Sequence, residues 1–331
     1  MPASTGAAWL VAPDSFKGTF AAPLVAQALA EGLRDAGCAS DVCPLGDGGE
    51  GTLDVLVAAL GGSLVRVPAR DPLGRTIEAT FALLADGRTA VVETAAASGL
   101  HLVDETQRDA ETASSAGTGE LIAAAARAGA QRILVAVGGS ATTDGGMGAI
   151  EAIRAGGGLG GATLEVLCDT RMPFERAAAV FSPQKGADAD AVARLGARLE
   201  QIAAALPRDP RGLPMSGCAG GLSGGLWAAF GAWLRSGADV VLDAVSFDRR
   251  AAAAGHVVTG EGRIDSQSLD GKLISVVTRR AIAVRAPVHA VVGQLEVEAG
   301  ALASLGLASV VQASALAAIR DAAHSLGARS T

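Results

Sequence analysis

Residues 138–148, with the sequence GGSATTDGGMG, place three hydroxyl side chains and one carboxylate among glycines. They follow residues 133–137 (ILVAV), an apolar run of β-forming residues that predicts a buried strand. Glycine lets a ligand approach the backbone closely, and open α/β sheets bind ligands at the carboxyl ends of their strands. The segment is therefore a candidate binding loop with Asp144 as its charged group. A flexible turn that happens to hold an aspartate explains one such loop equally well.

Loops of the same kind recur along the chain. Each adjoins an apolar strand or the start of a predicted helix, and each mixes glycine with charged or hydroxyl side chains. They lie at residues 13–18, 46–52, 112–120, 181–187, 217–225 and 259–272. Lysine is scarce in this arginine-rich chain, yet Lys17, Lys185 and Lys272 all fall in these loops. Together the loops offer carboxylates, cations and backbone amides that could hold a phosphorylated ligand.

Two of these loops also have a purely structural interpretation. Asp47 and Glu50 have the D-x-x-E spacing of a helix capping box. However, four glycines surround them, and two carboxylates without a nearby base suit Mg²⁺, which takes one or two carboxylates plus phosphate oxygens. Asp14 or Ser15 could simply cap the next helix. Lys17 is harder to explain structurally, because a cation at a helix N-terminus opposes the helix dipole unless it shares an anion there.

The loop at 112–120 has the same two interpretations, since Ser115 and Thr118 could bind phosphate or cap a helix. The usual nucleotide signatures do not occur: no GxGxxG follows the first strand, and there is no GxxxxGK[ST]. No Ser/His/Asp elbow motif suggests acyl transfer. Phosphoryl transfer without a P-loop needs donors for the phosphates, Mg²⁺ ligands and a carboxylate that positions the acceptor hydroxyl, and these loops can supply all three.

The composition excludes several classes of function. The 331 residues carry a net charge of −7, include 3% aromatic residues and contain no tyrosine. This argues against nucleic acid or an anionic membrane as a partner. No apolar run approaches the roughly 18 residues of a membrane span. The cysteines form no CxxC pair, the histidines are scattered, and no signal peptide is evident, so we expect reduced thiols, no His/Cys metal site and a cytoplasmic location.

The pattern of elements predicts an α/β protein with two domains. Strands at 9–12 and 41–45 alternate with helices at 21–36 and 53–60, and the alternation resumes from residue 256. Between them, residues 64–67, 77–83 and 89–93 predict an antiparallel meander, with turn signals at 71–74 and 85–87. We therefore expect a second domain inserted into the first near residue 64.

Seven segments resemble the signature segments of bacterial glycerate kinases of the two-domain, non-P-loop type, and they occur in the same order. The segments are APDSFKG (12–18), PLGDGGEGT (44–52), SAGTGELI (115–122), GGSATTDGG (138–146), PQKGA (183–187), GCAGGLSGGL (217–226) and TGEGRIDSQSLDGK (259–272). The resemblance implies ATP-dependent phosphorylation of D-glycerate to 2- or 3-phosphoglycerate. It also implies a Rossmann-like or flavodoxin-like three-layer domain (1–64 plus 238–331), an inserted α/β domain (65–237), and an active site in the cleft between them.

The resemblance implies roles for individual residues. Asp144 would accept the hydroxyl proton or orient the nucleophile, while Lys17 and Lys272 would neutralise phosphate or the glycerate carboxylate, with Asp265 as a further catalytic candidate. Mg²⁺, the cofactor used with ATP, would be held by Asp47 and Glu50. The candidates for binding substrate or phosphate are Asp14, Ser15, Asp47, Glu50, Ser115, Thr118, Ser140, Thr142, Gln184, Lys185, Glu261 and Arg263.

The chain also departs from its apparent relatives. Thr143 stands where the family usually has Asn, and the segment between residues 148 and 169 is shorter than expected. Two alternatives therefore stay open: a kinase for a related small hydroxy acid, and a non-catalytic nucleotide-binding paralogue. The sequence also leaves open which glycerate oxygen is phosphorylated and whether the chain forms an oligomer.

Overall fold

The structure, a computed structural model, describes residues 8–16, 18–265 and 272–330. Its strands are β1 (Trp9–Val11), β2 (Ser40–Val42), β3 (Gly62–Arg70), β4 (Thr76–Leu84), β5 (Thr89–Glu93), β6 (Arg132–Ala136), β7 (Thr163–Cys168), β8 (Trp233–Ser236), β9 (His256–Ile264), β10 (Val288–Leu295) and β11 (Ser309–Gln312). Its helices are α1 (Ala22–Asp35), α2 (Thr52–Leu60), α3 (Ala95–Ser98), α4 (Ala116–Arg127), α5 (Met147–Ala155), α6 (Ala177–Phe181), α7 (Ala189–Ala205), α8 (Leu222–Phe230), α9 (Gly237–Ala244), α10 (Phe247–Ala253), α11 (Leu273–Ala283), α12 (Ala299–Ser304) and α13 (Leu316–Ala328).

The chain divides into two compact units. The described residues of 1–47 and 238–331 form the split unit, and residues 48–237 form the inserted unit. The sequence pattern predicts the first boundary at residue 64. Residues 48–64 group with the inserted unit instead, because α2 packs against β3, β4 and β5.

The split unit is built on a five-stranded parallel sheet with the order β11-β10-β9-β1-β2. Numbered within the unit, this order is 2-1-3-4-5, the flavodoxin-like arrangement that the sequence resemblance implied. The strand order reverses between β1 and β9, which pair from Trp9↔His256 to Val11↔Val258. In sheets of this kind, that reversal point is where ligands bind.

Helices cover both faces of this sheet, which makes the split unit three-layered. On one face Val291 packs with the buried side of α1, including Leu29 and Leu33. On the other face, the neighbouring Val292 packs against Ile274 of α11. Successive residues of a strand point to opposite faces, so this alternation follows from the pleat.

The inserted unit contains a six-stranded mixed sheet in the order β3-β4-β5-β6-β7-β8. The first three strands form the predicted antiparallel meander, and β3 pairs with β4 from Gly62↔Leu84 to Arg70↔Thr76. The remaining strands are parallel to β5 and to one another. Helices α4, α5 and α8 pack their apolar residues on this sheet, with Leu121, Ile153 and Leu226 fully buried.

The short segment after residue 148 corresponds in the structure to helix α5 and a glycine-rich turn. Helix α5 ends at Ala155, and a turn at 156–162 leads directly into β7. Four glycines of this turn, at positions 157, 158, 160 and 161, have positive φ values. Glycine adopts such values without steric strain, so the chain reverses quickly and needs no additional element here. Among the described residues, no helix is long and apolar enough to cross a membrane.

Candidate functional site

At the carboxyl edge of the split unit's sheet, acidic residues lie on three neighbouring strands or just after them. Asp14 follows β1, Asp47 follows β2, and Glu261 belongs to the second half of β9. Asp14 and Asp47 are only 3% and 5% exposed. The loop after β1 is fixed to β9, since Asp14 N donates to Gly260 O at 2.8 Å. The structure thus brings these three predicted residues to one edge of the sheet, with Asp14 and Glu261 at the two strands that flank the reversal point.

Asp14 also shapes its own loop. The backbone N–H of Ser15 donates to Asp14 Oδ1 at 2.7 Å, so the Asp14 carboxylate hydrogen bonds to its own loop. The next helix, α1, begins at Ala22 and takes no side-chain cap from this loop. The capping interpretation of Asp14 and Ser15 is therefore wrong for α1. Lys17, the lysine predicted in the same loop, lies outside the described residues.

Three further predicted residues form a chain of ion pairs beyond this edge. Lys272 Nζ lies 3.3 Å from Asp265 Oδ1. Asp265 is also 3.9 Å from the Arg263 guanidinium, which in turn reaches Glu296 at 3.6 Å. Lys272 immediately precedes α11, so its ammonium group lies at a helix N-terminus and is balanced there by a carboxylate.

The prediction of a loop at residues 259–272 is wrong for its first part. Strand β9 continues to Ile264 because its pairing with β10 extends that far, with Glu261↔Val292, Arg263↔Gln294 and Ile264↔Leu295. Glu261 and Arg263 therefore project from a strand. Their positions are set by sheet pairing rather than by loop geometry.

In the inserted unit, Asp144 joins two helix N-termini. Its Oδ2 accepts hydrogen bonds from Ser115 N (2.9 Å), Ser115 Oγ (2.8 Å) and Gly148 N (3.2 Å), and its Oδ1 accepts one from Gly146 N (3.0 Å). These donors belong to the first turns of α4 and α5, where backbone N–H groups have no partner within the helix. Asp144 is only 4% exposed. This geometry favours a structural role for Asp144 over that of a general base.

The predicted hydroxyl residues at the start of α4, Ser115 and Thr118, also hydrogen bond within the inserted unit. Ser115 Oγ accepts a hydrogen bond from Ala149 N at 3.0 Å, besides donating to Asp144. Thr118 N and Thr118 Oγ1 both donate to Ser98 Oγ, at 3.2 and 2.8 Å. The Ser115 and Thr118 side chains are fully buried. Ser115 Oγ therefore caps α5 rather than α4, and Thr118 acts as a donor and caps no helix, so the capping interpretation does not hold for α4. A role for these residues in binding phosphate stays a prediction.

The loop after β6 is fixed by a hydrogen bond within the loop and by one from the Lys185 side chain. Ser140 Oγ accepts from Thr142 N at 3.0 Å, which closes a local turn. Lys185 Nζ donates to the Thr142 carbonyl oxygen at 2.5 Å, and Lys185 is only 3% exposed. Burial lowers the pKa of Lys185 to about 8, while the carboxylates of Asp144 and Asp169 partly offset this effect. Gln184, the other predicted residue of that segment, is exposed.

Glu50 differs from these buried groups because its side chain is exposed. It lies close to the loop after β6: a Cβ placed on Gly139 would be 4.0 Å from Glu50 Oε2. Gly139 is itself exposed and has a φ of +74°, so the two offer a carboxylate beside an open stretch of backbone. Of the predicted residues in the inserted unit, Glu50 has the geometry best suited to meeting a ligand.

Glu93 is a candidate residue that was not predicted from the sequence. This residue ends β5, and its Oε1 accepts a hydrogen bond from Leu53 N at 2.8 Å, in the first turn of α2. Burial raises the pKa of Glu93 to about 7, and the carboxylates of Asp54 and Glu50 add to the effect. Its position at the carboxyl end of a predicted strand was a usable signal. A capping box made by Asp47 and Glu50 is not what caps α2.

The predicted Mg²⁺ ligands do not form a complete metal site. Within the described ranges, no group of three or more His, Cys, Asp or Glu side chains could hold a metal ion. Mg²⁺ often binds through one or two carboxylates that complete a shell of phosphate oxygens and water, so the assignment of Asp47 and Glu50 to Mg²⁺ stays a prediction.

The fold and these edges define a class of protein: a flavodoxin-like α/β unit, interrupted by a second α/β unit with glycine-rich loops, in a chain without a P-loop motif. The sequence profile of the glycerate kinase family matches residues 9–157 and 156–329. The chain belongs to the glycerate kinase family. The two matched segments meet at the glycine turn after α5, where the sequence is shorter than expected.

Individual relatives agree with this assignment. The chain is 38% identical to the glycerate kinase of Bacillus subtilis (strain 168), over 90% of this chain and 88% of the relative. It is 36% identical to the glycerate 2-kinase of Escherichia coli (strain K12), over 91% and 89% of the two chains. A crystal structure assigned to glycerate kinase 2 of Salmonella typhimurium LT2 superposes with a TM-score of 0.81 at 35% identity, covering 98% of both chains.

Proposed function

We propose that this chain is a glycerate kinase, which transfers the γ-phosphoryl group of ATP to a hydroxyl of D-glycerate and yields ADP and 2- or 3-phosphoglycerate. The observation that carries the proposal is the family match across both halves of the chain, at 9–157 and 156–329. Relatives named glycerate kinase or glycerate 2-kinase align over about nine-tenths of the chain. An ATP-dependent phosphotransferase with an alcohol acceptor follows from the same family.

Phosphoryl transfer depends mainly on positioning and on neutralising charge. In the split unit, we assign these tasks to Lys272 and Lys17, which would neutralise phosphate or the glycerate carboxylate. The carboxylate of Asp265, 3.3 Å from Lys272 Nζ, supports this role by holding the ammonium group in place. Asp14 and Glu261 flank the reversal point of the sheet, where they would orient substrate hydroxyls.

In the inserted unit, we assign the contact with the reactants to Glu50 and the glycine backbone of the loop after β6. The support is that Glu50 is exposed beside Gly139, whereas the carboxylate of Asp144 already accepts four hydrogen bonds. Asp144 and Lys185 would then keep this loop rigid. Mg²⁺, bound with the nucleotide phosphates, would neutralise their charge, and Asp47 and Glu50 are the residues that would hold it.

We also place the protein in the cytoplasm, where its substrates ATP and glycerate would be available. All four cysteines, at positions 38, 43, 168 and 218, are free and buried. This state fits a compartment that keeps thiols reduced.

The test is a coupled assay of ADP release with Mg-ATP and a panel of hydroxy acids: D-glycerate, L-glycerate, glycolate and D-lactate. We expect turnover with D-glycerate, and we expect Glu50→Gln to lower it by about 100-fold. Glu151→Gln, which changes an exposed glutamate of the same unit, is the matched control and should leave turnover unchanged. Turnover only with another acid would identify a different kinase. ATP binding without ADP release from any acid would identify a non-catalytic paralogue.

A further inference from the structure

Helix α2 directly follows the glycine-rich stretch that contains Glu50, yet it has no cap of its own. The residue at the cap position is Gly51, in a left-handed conformation (φ +90°) and without a side chain to offer. Thr52, the first helical residue, turns its hydroxyl back to accept a hydrogen bond from Gly48 N at 3.1 Å. The backbone N–H groups at the start of α2 therefore need an acceptor from elsewhere.

Glu93 supplies that acceptor from a strand forty residues further along the chain. Its Oε1 lies 2.8 Å from Leu53 N, and the backbone of Gly51 also hydrogen bonds to the carboxylate. A carboxylate at the start of α2 is stabilising for two reasons: it accepts hydrogen bonds from backbone N–H groups that have no partner within the helix, and it faces the positive end of the helix dipole. The bond fastens the start of α2 to the carboxyl end of β5.

The stretch between Gly48 and Leu53 also fits tightly against the neighbouring loops. Gly138 N donates to Gly48 O at 3.3 Å, and a Cβ on Gly138 would lie only 2.5 Å from Gly49 Cα. A Cβ on Gly48 would lie 2.7 Å from Leu167 O, at the end of β7. With one end fixed by these contacts and the other by Glu93, the stretch holds Glu50 in one place beside Gly139.

We infer that Glu93 is a positioning residue for phosphoryl transfer: by capping α2 it sets the position of Glu50. The inference rests on the proposed function, in which Glu50 contacts the reactants. Glu93 itself is partly buried and bonded to backbone, so it acts through the loop. A displacement of about 1 Å at a reacting group can lower the rate by as much as 100-fold, which gives this cap a kinetic consequence.

No other acidic side chain on the elements around Glu93 is placed to cap α2 in the described part of the chain. Strand β6 places Ala136 beside Glu93, and α3 has no charged residue. The acidic side chains of the other neighbouring elements, Glu78 in β4 and Glu120 in α4, are paired with arginines at 3.5 and 2.6 Å. The carboxylates that act on Glu93 are those of Glu50 and Asp54, both on the stretch that Glu93 holds.

The decisive experiment compares Glu93→Ala with Asp188→Ala, because each removes one helix cap from the inserted unit. Asp188 Oδ1 accepts a hydrogen bond from Ala191 N at 2.8 Å and caps α7. Both variants should lose stability, but only Glu93→Ala should lose turnover with D-glycerate, by about tenfold or more. Glu93→Gln keeps an acceptor for Leu53 N and should recover part of that loss. A kcat and KM in Glu93→Ala that match those of Asp188→Ala would overturn the inference.

A double-mutant cycle then tests whether Glu93 acts through Glu50. If it does, adding Glu93→Ala to Glu50→Gln should change turnover little, because the group being positioned is already gone. Effects that multiply would overturn the inference.

The proposed function can fail separately, since it predicts turnover by the wild-type protein. Hydrogen exchange tests the cap without turnover: the amides of residues 48–53 should exchange faster in Glu93→Ala than in the wild type. Unchanged exchange at these amides would overturn the inference even if the wild-type protein has no activity with glycerate.

Discussion

Replacing Asp144 with asparagine tests what this buried carboxylate does. Its two oxygens accept four hydrogen bonds: three at Oδ2, from Ser115 N, Ser115 Oγ and Gly148 N, and one at Oδ1, from Gly146 N. An asparagine has one acceptor oxygen and one NH₂ group. Its best orientation keeps the three bonds at Oδ2 and turns the NH₂ group towards Gly146 N, which leaves two donors facing each other.

The size of the effect follows from these bonds. A buried N–H without an acceptor costs about 1–3 kcal/mol, and hydrogen bonds to a charged group are stronger than neutral ones by about 1 kcal/mol each. One unpaired N–H and three weakened bonds therefore add up to about 4–6 kcal/mol. Because whole domains are stable by only about 5–15 kcal/mol, the inserted unit should be close to unfolding in this variant.

Urea unfolding followed by circular dichroism measures this loss. With a slope of about 2–3 kcal/mol per molar urea, the transition of the inserted unit should fall by at least about 1.3 M. Asp188→Asn is the matched control. It makes the same change at an exposed cap with one bond, and asparagine caps helices as well as aspartate does, so its midpoint should hardly move. An Asp144→Asn protein with wild-type stability and turnover reduced about 100-fold would refute this reasoning and restore Asp144 as a catalytic group.

Three further predictions concern stability. Burial lowers the pKa of His256 and lowers the pKa of His289 to about 4, so both histidines bind fewer protons in the folded protein than in the unfolded chain. The stability that this provides is present above pH 6.5 and should be lost as the pH falls towards 4. Urea unfolding midpoints at pH 7 and pH 5 would measure this loss. The buried Thr143 hydroxyl has no hydrogen-bond partner among the described residues, so Thr143→Val should raise the melting temperature by about 2–4 °C, whereas a fall would reveal a partner. Gly138→Ala should lower the melting temperature, because a Cβ at this position would lie only 2.5 Å from Gly49 Cα. Gly196→Ala, at a position on α7 with no atom near the added Cβ, should raise the melting temperature.

Much of the fold could be predicted because its signals are local. The meander was evident from alternating strands and turn residues, and the structure confirms it between Gly62 and Glu93. The flavodoxin-like order came from the family resemblance, and it is confirmed by the pairing of β1 with β2 and β9. Residue patterns alone do not fix strand order, since it depends on which strands meet after folding.

The extent of β9 could not be predicted, and the reason is specific. Gly260 looks like a loop residue, but it lies against an aromatic ring: a Cβ on Gly260 would be 3.3 Å from the Phe16 ring, and a Cβ on Gly293 of the neighbouring β10 would be 3.5 Å from it. Glycine at these positions makes room for Phe16 rather than breaking the strand. Such a contact joins three distant parts of the chain and leaves no local signal.

The candidate site was predicted only in part for a similar reason. The sequence identified the loops, and the carboxylates Asp14, Asp47 and Glu261 do lie at one sheet edge of the split unit. The sequence does not show which polar groups form hydrogen bonds within the folded protein instead of with a ligand. Asp144 is an example, because its partner Ser115 comes from another loop. Roles for all these residues in catalysis stay predictions.

The most direct test of the central claim is ³¹P NMR of the wild-type protein with Mg-ATP and D-glycerate. The account predicts a new phosphomonoester, 2- or 3-phosphoglycerate, that grows in step with ADP, and the chemical shift and proton coupling will show which oxygen carries the phosphate. Release of inorganic phosphate with ADP, or ATP that stays unchanged, would contradict the assignment of this chain as a glycerate kinase.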